Sequence, residues 1–151
     1  MNRNEFADKV VEQTDRMYRI AWTLLRHDED CRDAMQEAAL KAWERRFTLR
    51  QPEYFTTWLI RILINECHAI QRRRKRSVPL EEAEYITTLP KDVTLSLALR
   101  RLPEELRLPL VMHALEGMSY LEIERVLRLP HSTIAGRIHR AKQQLRKELE
   151  A

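Results

Sequence analysis

Residues 119–145 read SYLEIERVLRLPHSTIAGRIHRAKQQL, and this stretch decides the fold class. Ser119 followed three residues later by Glu122 is a capping-box pattern, so a short helix opens at its start. Arg128, Leu129 and Pro130 interrupt that helix. A final helix begins near His131 or Ser132, with Ile134, Ile138, Ala141, Leu145 and Leu149 turned inward. A short helix, a tight break and a longer basic helix make a helix-turn-helix candidate. Working upstream, the pattern predicts a helix over about Thr94–Leu102. Another has Pro103 in its first turn and Glu104 and Glu105 near its N-terminus, and stops at Gly117.

The first half of the chain reads as three more helices. Phe6, Val10, Thr14, Met17, Ala21 and Leu24 recur at steps of four, four, three, four and three, one apolar stripe on a helix from about residue 4 to 26. Asp28 or Asp30 is placed to cap a second helix, with Cys31, Met35, Ala38 and Ala42 inward and Trp43 close by. Residues 45–52 lack helical periodicity and read as a loop. A third helix runs from near Glu53 to about Arg74, burying Phe55, Leu59, Ile62, Leu63 and Ile70 with Glu66 at the edge. Between the halves, residues 77–92 hold Pro79, Pro90, three glutamates and a Thr87–Thr88 pair, and read as a linker. The expected architecture is all-α. A domain over 1–76 and a helix-turn-helix domain over 93–151 are joined by that linker.

Composition agrees with this and narrows function. The 151 residues include only two glycines, Gly117 and Gly136, too few for a β-rich fold with many tight turns. A net charge of +4 and a pI near 9.3 suit a nucleic-acid partner. Arg72, Arg73, Arg74, Lys75 and Arg76 are consecutive, and the acidic residues gather elsewhere. Cys31 and Cys67 form no CxxC pair and read as reduced, packed thiols of a cytoplasmic protein. Beyond His27, Cys31, Cys67 and His68 nothing has metal-ligand spacing, so no metal or other cofactor is expected. No stretch approaches the roughly 18 apolar residues of a membrane helix, and no signal peptide opens the chain. A glycine-rich phosphate loop, an HExxH pair and a serine-nucleophile motif are all missing, so neither a catalytic residue nor a small-molecule substrate is expected.

Three surfaces carry the chemistry of recognition. On the third helix Thr57, Arg61, Asn65, His68 and Arg72 form one polar line that leads into the basic run 73–76. Hydroxyl, amide, imidazole and guanidinium groups together can bond base edges and phosphates. The preceding loop interleaves Arg46, Phe47, Arg50, Tyr54 and Phe55, with Trp58 just beyond; aromatic faces beside cations suit unstacked bases. Phe55 and Trp58 fall at core spacing, which leaves Phe47 and Tyr54 for the surface. The last helix shows Thr133, Arg137, Arg140 and Gln144 in line. Its N-terminal part (His131, Ser132, Thr133, Ala135, Gly136 and His139) would approach the major groove. The second helix is different. Asp33, Gln36, Glu37, Lys41 and Glu44 make a mostly acidic face, unsuited to DNA and suited to a protein with basic groups.

In this order the segments resemble a known family. The stretch 33–43, DAMQEAALKAW, resembles region 2.2 of the extracytoplasmic-function (ECF) sigma factors of bacterial RNA polymerase. The stretch 55–65, FTTWLIRILIN, with the arginines after it, is similar to their regions 2.3 and 2.4. Residues 102–123 are similar to region 4.1, and 133–141 to the region 4.2 recognition helix. The resemblance implies that Asp33, Gln36, Glu37 and Lys41 face the clamp helices of the polymerase's largest catalytic subunit. It implies that the loop 46–54 with Arg61, Asn65 and His68 binds and opens the minus-ten element, and that the last helix reads the minus-thirty-five element. It further implies an anti-sigma factor as regulator. Family members commonly carry a basic residue and a serine where this chain has Ala135 and Gly136. A stand-alone helix-turn-helix regulator is the competing expectation. It accounts for the last domain and leaves the acidic helix and the aromatic loop without a task.

Overall fold

The computed structural model describes residues 1–76 and 90–150, with side chains for 1–75 and 94–150, and all regular structure among them is helical. They form two compact units, one within Met1–Pro79 and one within Leu80–Ala151. Of the expected linker, residues 77–89 lie outside the described residues. Its last three, 90–92, belong to a helix.

In the first unit the single helix expected over 4–26 is two, α1 (Arg3–Glu12) and α2 (Thr14–Leu25). The division has a local cause. The Gln13 N–H bonds the carbonyls of Val10 and Val11, and the Thr14 hydroxyl donates back to the Val10 carbonyl at 3.3 Å, a bond that bends helices. α1 buries Phe6 edge-on against Trp43 and Phe55, with centroids 5.2 and 5.8 Å away. α2 ends at Arg26 in the left-handed region (φ 51°), and α3 (Asp28–Glu44) follows after one residue. That residue, His27, is the cap, where Asp28 or Asp30 was expected. Its Nδ1 accepts from the Asp30 N–H, which leaves Asp28, Glu29 and Asp30 as first-turn acids that favour the helix dipole.

The inner face of α3 is Cys31, Ala34, Ala38 and Ala42; Ala34 takes the place expected for Met35, which is half-buried. Three alanines at four-residue steps let α4 (Phe55–Arg76) pack closely, and α4 answers with Leu59, Ile60, Leu63 and Cys67. Both cysteines are free and buried, and burial pushes the Cys31 thiol up to about 11. From the far end of α4, Gln71 Nε2 donates to the Leu24 carbonyl and Arg74 Nη1 to the Leu25 carbonyl, both at 3.0 Å. Arg74 also holds the Asp30 carboxylate, with Nε at 2.9 Å. One guanidinium thus caps α2 and fastens it to α3 and α4. Arg74→Ala is therefore expected to cost about 1.5–3 kcal/mol, the range for hydrogen bonds to charged groups. Exposed Arg72→Ala should stay within about 0.5 kcal/mol, and urea melts of the two variants check this.

The second unit holds α5 (Pro90–Arg101), α6 (Glu104–Leu110), α7 (Tyr120–Leu127) and α8 (His131–Glu150). α5 starts four residues before the expected Thr94. Pro103 is the cap of α6 and not its first residue, with Glu104 and Glu105 in the first turn as expected. The expected continuous helix to Gly117 is interrupted. Pro109 has no N–H for an α bond, and the chain widens into a π turn over Val111–Leu115, closed by Glu116 N–H to the Val111 carbonyl at 3.0 Å. Gly117 is the stop, at φ 68°. Arg107, whose pKa burial lowers, ties α6 to the end of α5 through the Leu102 carbonyl at 2.9 Å. Leu102, Met112, Met118, Ile123, Val126, Ile134, Ile138 and Ala141 make the core. Burial along α8 ends at Ala141. Leu145 is half-buried and Leu149 exposed, contrary to the inward stripe expected through both.

Candidate nucleic-acid interface

The outward face of α3 presents Asp33, Gln36 and Glu37 to solvent on neighbouring turns. Lys41 does not join them. It is half-buried and paired with Glu66 of α4, whose side chain is largely covered, so it ties the two helices together. Between the acids stands Leu40, 59% exposed, which the sequence reading overlooked. The signal was present: positions 33, 36, 37, 40 and 44 share one face. An apolar groove between α1 and α3, lined by Phe6, Ala7, Val10, Val11, Ala39 and Trp43, was also not foreseen.

The loop expected over 45–52 is ordered as two 3-10 turns, Arg46–Thr48 and Pro52–Tyr54. The Arg46 guanidinium lies over the rings of both Trp43 and Phe47, 3.8 and 4.4 Å from their centroids, and Nη1 donates to the Trp43 carbonyl at 2.8 Å. Phe47 is 82% exposed, Arg50 is exposed, and Tyr54 has an exposed edge. Phe55 is buried, as its spacing predicts; Trp58, also expected in the core, is half-buried.

On α4 the polar line begins one turn later than expected. Thr57 is buried, and its hydroxyl donates to the Tyr54 carbonyl at 3.1 Å, holding the start of the helix. Asn65 and Arg72 are exposed; Arg61 and His68 are half-buried on the same line. The basic run that follows is not one continuous cationic patch, because Arg74 turns inward to Asp30 and Leu25; Arg73 and Lys75 remain outward. A further surface set lies on α2 and α3. The Tyr18 hydroxyl donates to Asp28 at 2.6 Å, and Arg32 binds the same carboxylate at 3.0 Å. The hydrogen bond to Asp28 raises Tyr18 to about 12, and the bonds from Tyr18 and Arg32 hold Asp28 below the usual carboxylate range. The phenol thus serves as a tie between α2 and α3.

In the second unit the capping box is formed in both directions, with Glu122 N–H to Ser119 Oγ at 3.1 Å and Ser119 N–H to Glu122 Oε1 at 2.9 Å. Arg128 at φ 53° closes α7. The Pro130 carbonyl then accepts from Thr133 and Ile134 to open α8, so the turn is three residues long. His131, at the head of α8, is fixed to α7: its Nδ1 is 3.0 Å from Glu124 Oε2, and its ring is 5.7 Å from that of Tyr120. His131, Ser132, His139 and Arg140 are exposed, and Ala135 and Gly136 are half-buried among them. The expected line Thr133–Arg137–Arg140–Gln144 is split. Only Arg140 faces fully outward, whereas Thr133, Arg137 and Gln144 run along the half-buried edge. A Cβ on Gly136 would lie 3.3 Å from Arg140 Nη1, so the arginine folds back over the glycine. Because the crowded atom ends a flexible side chain, Gly136→Ala is expected to raise stability by up to about 1 kcal/mol, read as a higher melting temperature.

Among the described residues no helix is long and apolar enough to cross a membrane. Residues 10–77 match the family described as Sigma-70 region 2, and residues 93–145 match Sigma-70, region 4. The chain is 29% identical to the ECF RNA polymerase sigma factor SigW of Bacillus subtilis (strain 168), over 98% of this chain and 90% of that one. It is 32% identical to the RNA polymerase sigma-H factor of Pseudomonas aeruginosa, over 82% of this chain and 76% of that one. A solved structure of the sigma factor RpoE with the anti-sigma factor NepR from Bartonella quintana has the same fold. Its TM-score is 0.80 over 97% of this chain and 98% of that one, at 23% identity.

Proposed function

From the premise that this chain belongs to the ECF sigma factors of RNA polymerase, we propose how its surfaces divide the work of initiation. As an alternative sigma factor it directs core polymerase to particular promoters. The unit within 1–76 binds core and opens DNA, and the unit within 93–151 anchors the complex upstream. Asp33, Gln36, Glu37 and Leu40 meet the basic clamp of the polymerase, since an acidic face with an apolar centre suits a protein and repels DNA. Phe47, Arg50, Tyr54, Arg61, Asn65, His68 and Arg72 take the minus-ten element, where bases must leave the duplex. His131, Ser132, Ala135, Gly136, His139 and Arg140, flanked by Thr133 and Arg137, read the minus-thirty-five element as intact duplex. The protein works in the cytoplasm as a binding factor and not as an enzyme. An anti-sigma factor, such as the one bound to the structural relative, holds it inactive.

One observation carries this reading: Phe47 stands out into solvent, in a chain that also holds an exposed acidic face on α3 and a helix-turn-helix. A stand-alone regulator needs only the last of these. DNase footprinting separates the two. The chain alone should leave promoter DNA unprotected, and chain plus core polymerase should protect both elements. A full footprint without core would establish the stand-alone regulator instead.

A further inference from the structure

Just past the end of α3 one guanidinium lies over two aromatic rings. Phe6, in the core, meets Trp43 edge-on at 5.2 Å; the Arg46 guanidinium lies 3.8 Å from the Trp43 centroid and 4.4 Å from the Phe47 centroid. The backbone holds this arrangement. Arg46 Nη1 donates to the Trp43 carbonyl, and the 3-10 turn closes with Thr48 N–H to Arg45 and Leu49 N–H to Arg46 at 2.8 and 3.2 Å. An exposed phenylalanine on its own would turn freely about its side-chain bonds. Here one face of the ring is pinned by Arg46, and the ring as a whole remains 82% exposed.

We propose that Arg46 is a positioning residue: it holds Phe47 as a platform on which one unpaired base of the opened strand stacks. This rests on the reading of the loop as the single-strand contact. A phosphate contact is the ordinary role for an arginine beside DNA. Against it, this guanidinium already lies over the rings of Trp43 and Phe47 and gives one of its donors to the Trp43 carbonyl. The two roles differ in what lysine can replace. Lysine keeps the charge and loses the planar stack.

The test uses holoenzyme made with the full chain, and a fluorescein-labelled single strand from the opened segment of a promoter it uses. Anisotropy gives affinity across a salt series. Phe47→Ala should weaken binding about tenfold, within the range for one stacked base. Arg46→Lys should weaken it nearly as much as Arg46→Ala, with the wild-type dependence on salt. In the Phe47→Ala background Arg46→Lys should add nothing, a coupling that general loss of stability would not produce. Melting temperature and core affinity, measured alongside, should be unchanged for Arg46→Lys. The proposal is overturned if Arg46→Lys binds like wild type while Arg46→Ala lowers the salt slope by about 0.7, the mark of a lost phosphate contact on a single strand. It is equally overturned if the two substitutions add. Wild-type binding by Phe47→Ala would overturn the loop's assignment itself, so the two failures are distinguishable.

Discussion

Changing Asp33 and Glu37 together to lysine is expected to weaken assembly with core polymerase about a hundredfold, because opposed like charges cost several kcal/mol and each 1.4 kcal/mol is tenfold. Both side chains are exposed on α3, so the chain itself should melt as before; surface changes of this kind stay within about 0.5 kcal/mol. Leu40→Ala should act in the same direction and more weakly, since it removes an apolar contact and leaves the charges in place. Lys41→Ala should behave differently. It abandons the largely covered Glu66 carboxylate, so its first effect is on the melting curve and not on partner affinity. Direct titration of labelled chain with core enzyme checks all three. Unchanged affinity for the double charge reversal would remove α3 from the polymerase interface.

The second large effect concerns separation of tasks. Phe47→Ala and Asn65→Ala should leave promoter duplex binding by holoenzyme within about threefold while strand opening falls tenfold or more, because a base stacked on Phe47 is worth about 1–3 kcal/mol and a base edge bonded to the Asn65 amide about the same. Arg140→Ala should do the reverse. If the guanidinium reads a base, duplex affinity falls by about 1–3 kcal/mol; if it holds a phosphate, the salt slope drops by about one. Once the complex has formed, opening by the Arg140 variant should match wild type. The reason lies in the two surfaces. Phe47 offers a ring face that only an unstacked base can use, whereas Arg140 sits on a helix that follows a three-residue turn and fits a groove. Permanganate reactivity of melted thymines beside a binding assay separates these outcomes. Equal loss of binding and opening in every variant would show that the surfaces do not divide the work.

How much of this was legible from residues alone follows from the range of each interaction. The helix-turn-helix was readable because its signals are local: a capping box, a glycine at positive φ and a proline break act within one turn. The all-α fold was readable from periodicity. Much of what escaped the sequence was decided by partners it does not name. The basic run looked uniform until Arg74, 44 residues from Asp30, turned inward to cap α2. Lys41 looked like its acidic neighbours until Glu66, 25 residues on, claimed it. Thr57 lay at the right spacing for the polar line, and the Tyr54 carbonyl took its hydroxyl. Leu40 shares the spacing of the acidic face, so its exposure was legible in the sequence. On α8 the line of four polar residues was correct in period and rotated in phase, because half-buried Thr133 and Arg137 border the core that Ile134 and Ile138 fill.

As proposed, this chain gives core polymerase its choice of start sites through two separate DNA elements. The most direct test maps the 5′ ends of transcripts made in vitro from sheared genomic DNA by core polymerase, with and without the chain. Starts that need the chain should appear, each preceded by two shared sequence elements at a nearly constant separation. The account is contradicted if the chain adds no starts to those of core alone, or if the starts it adds share only one element.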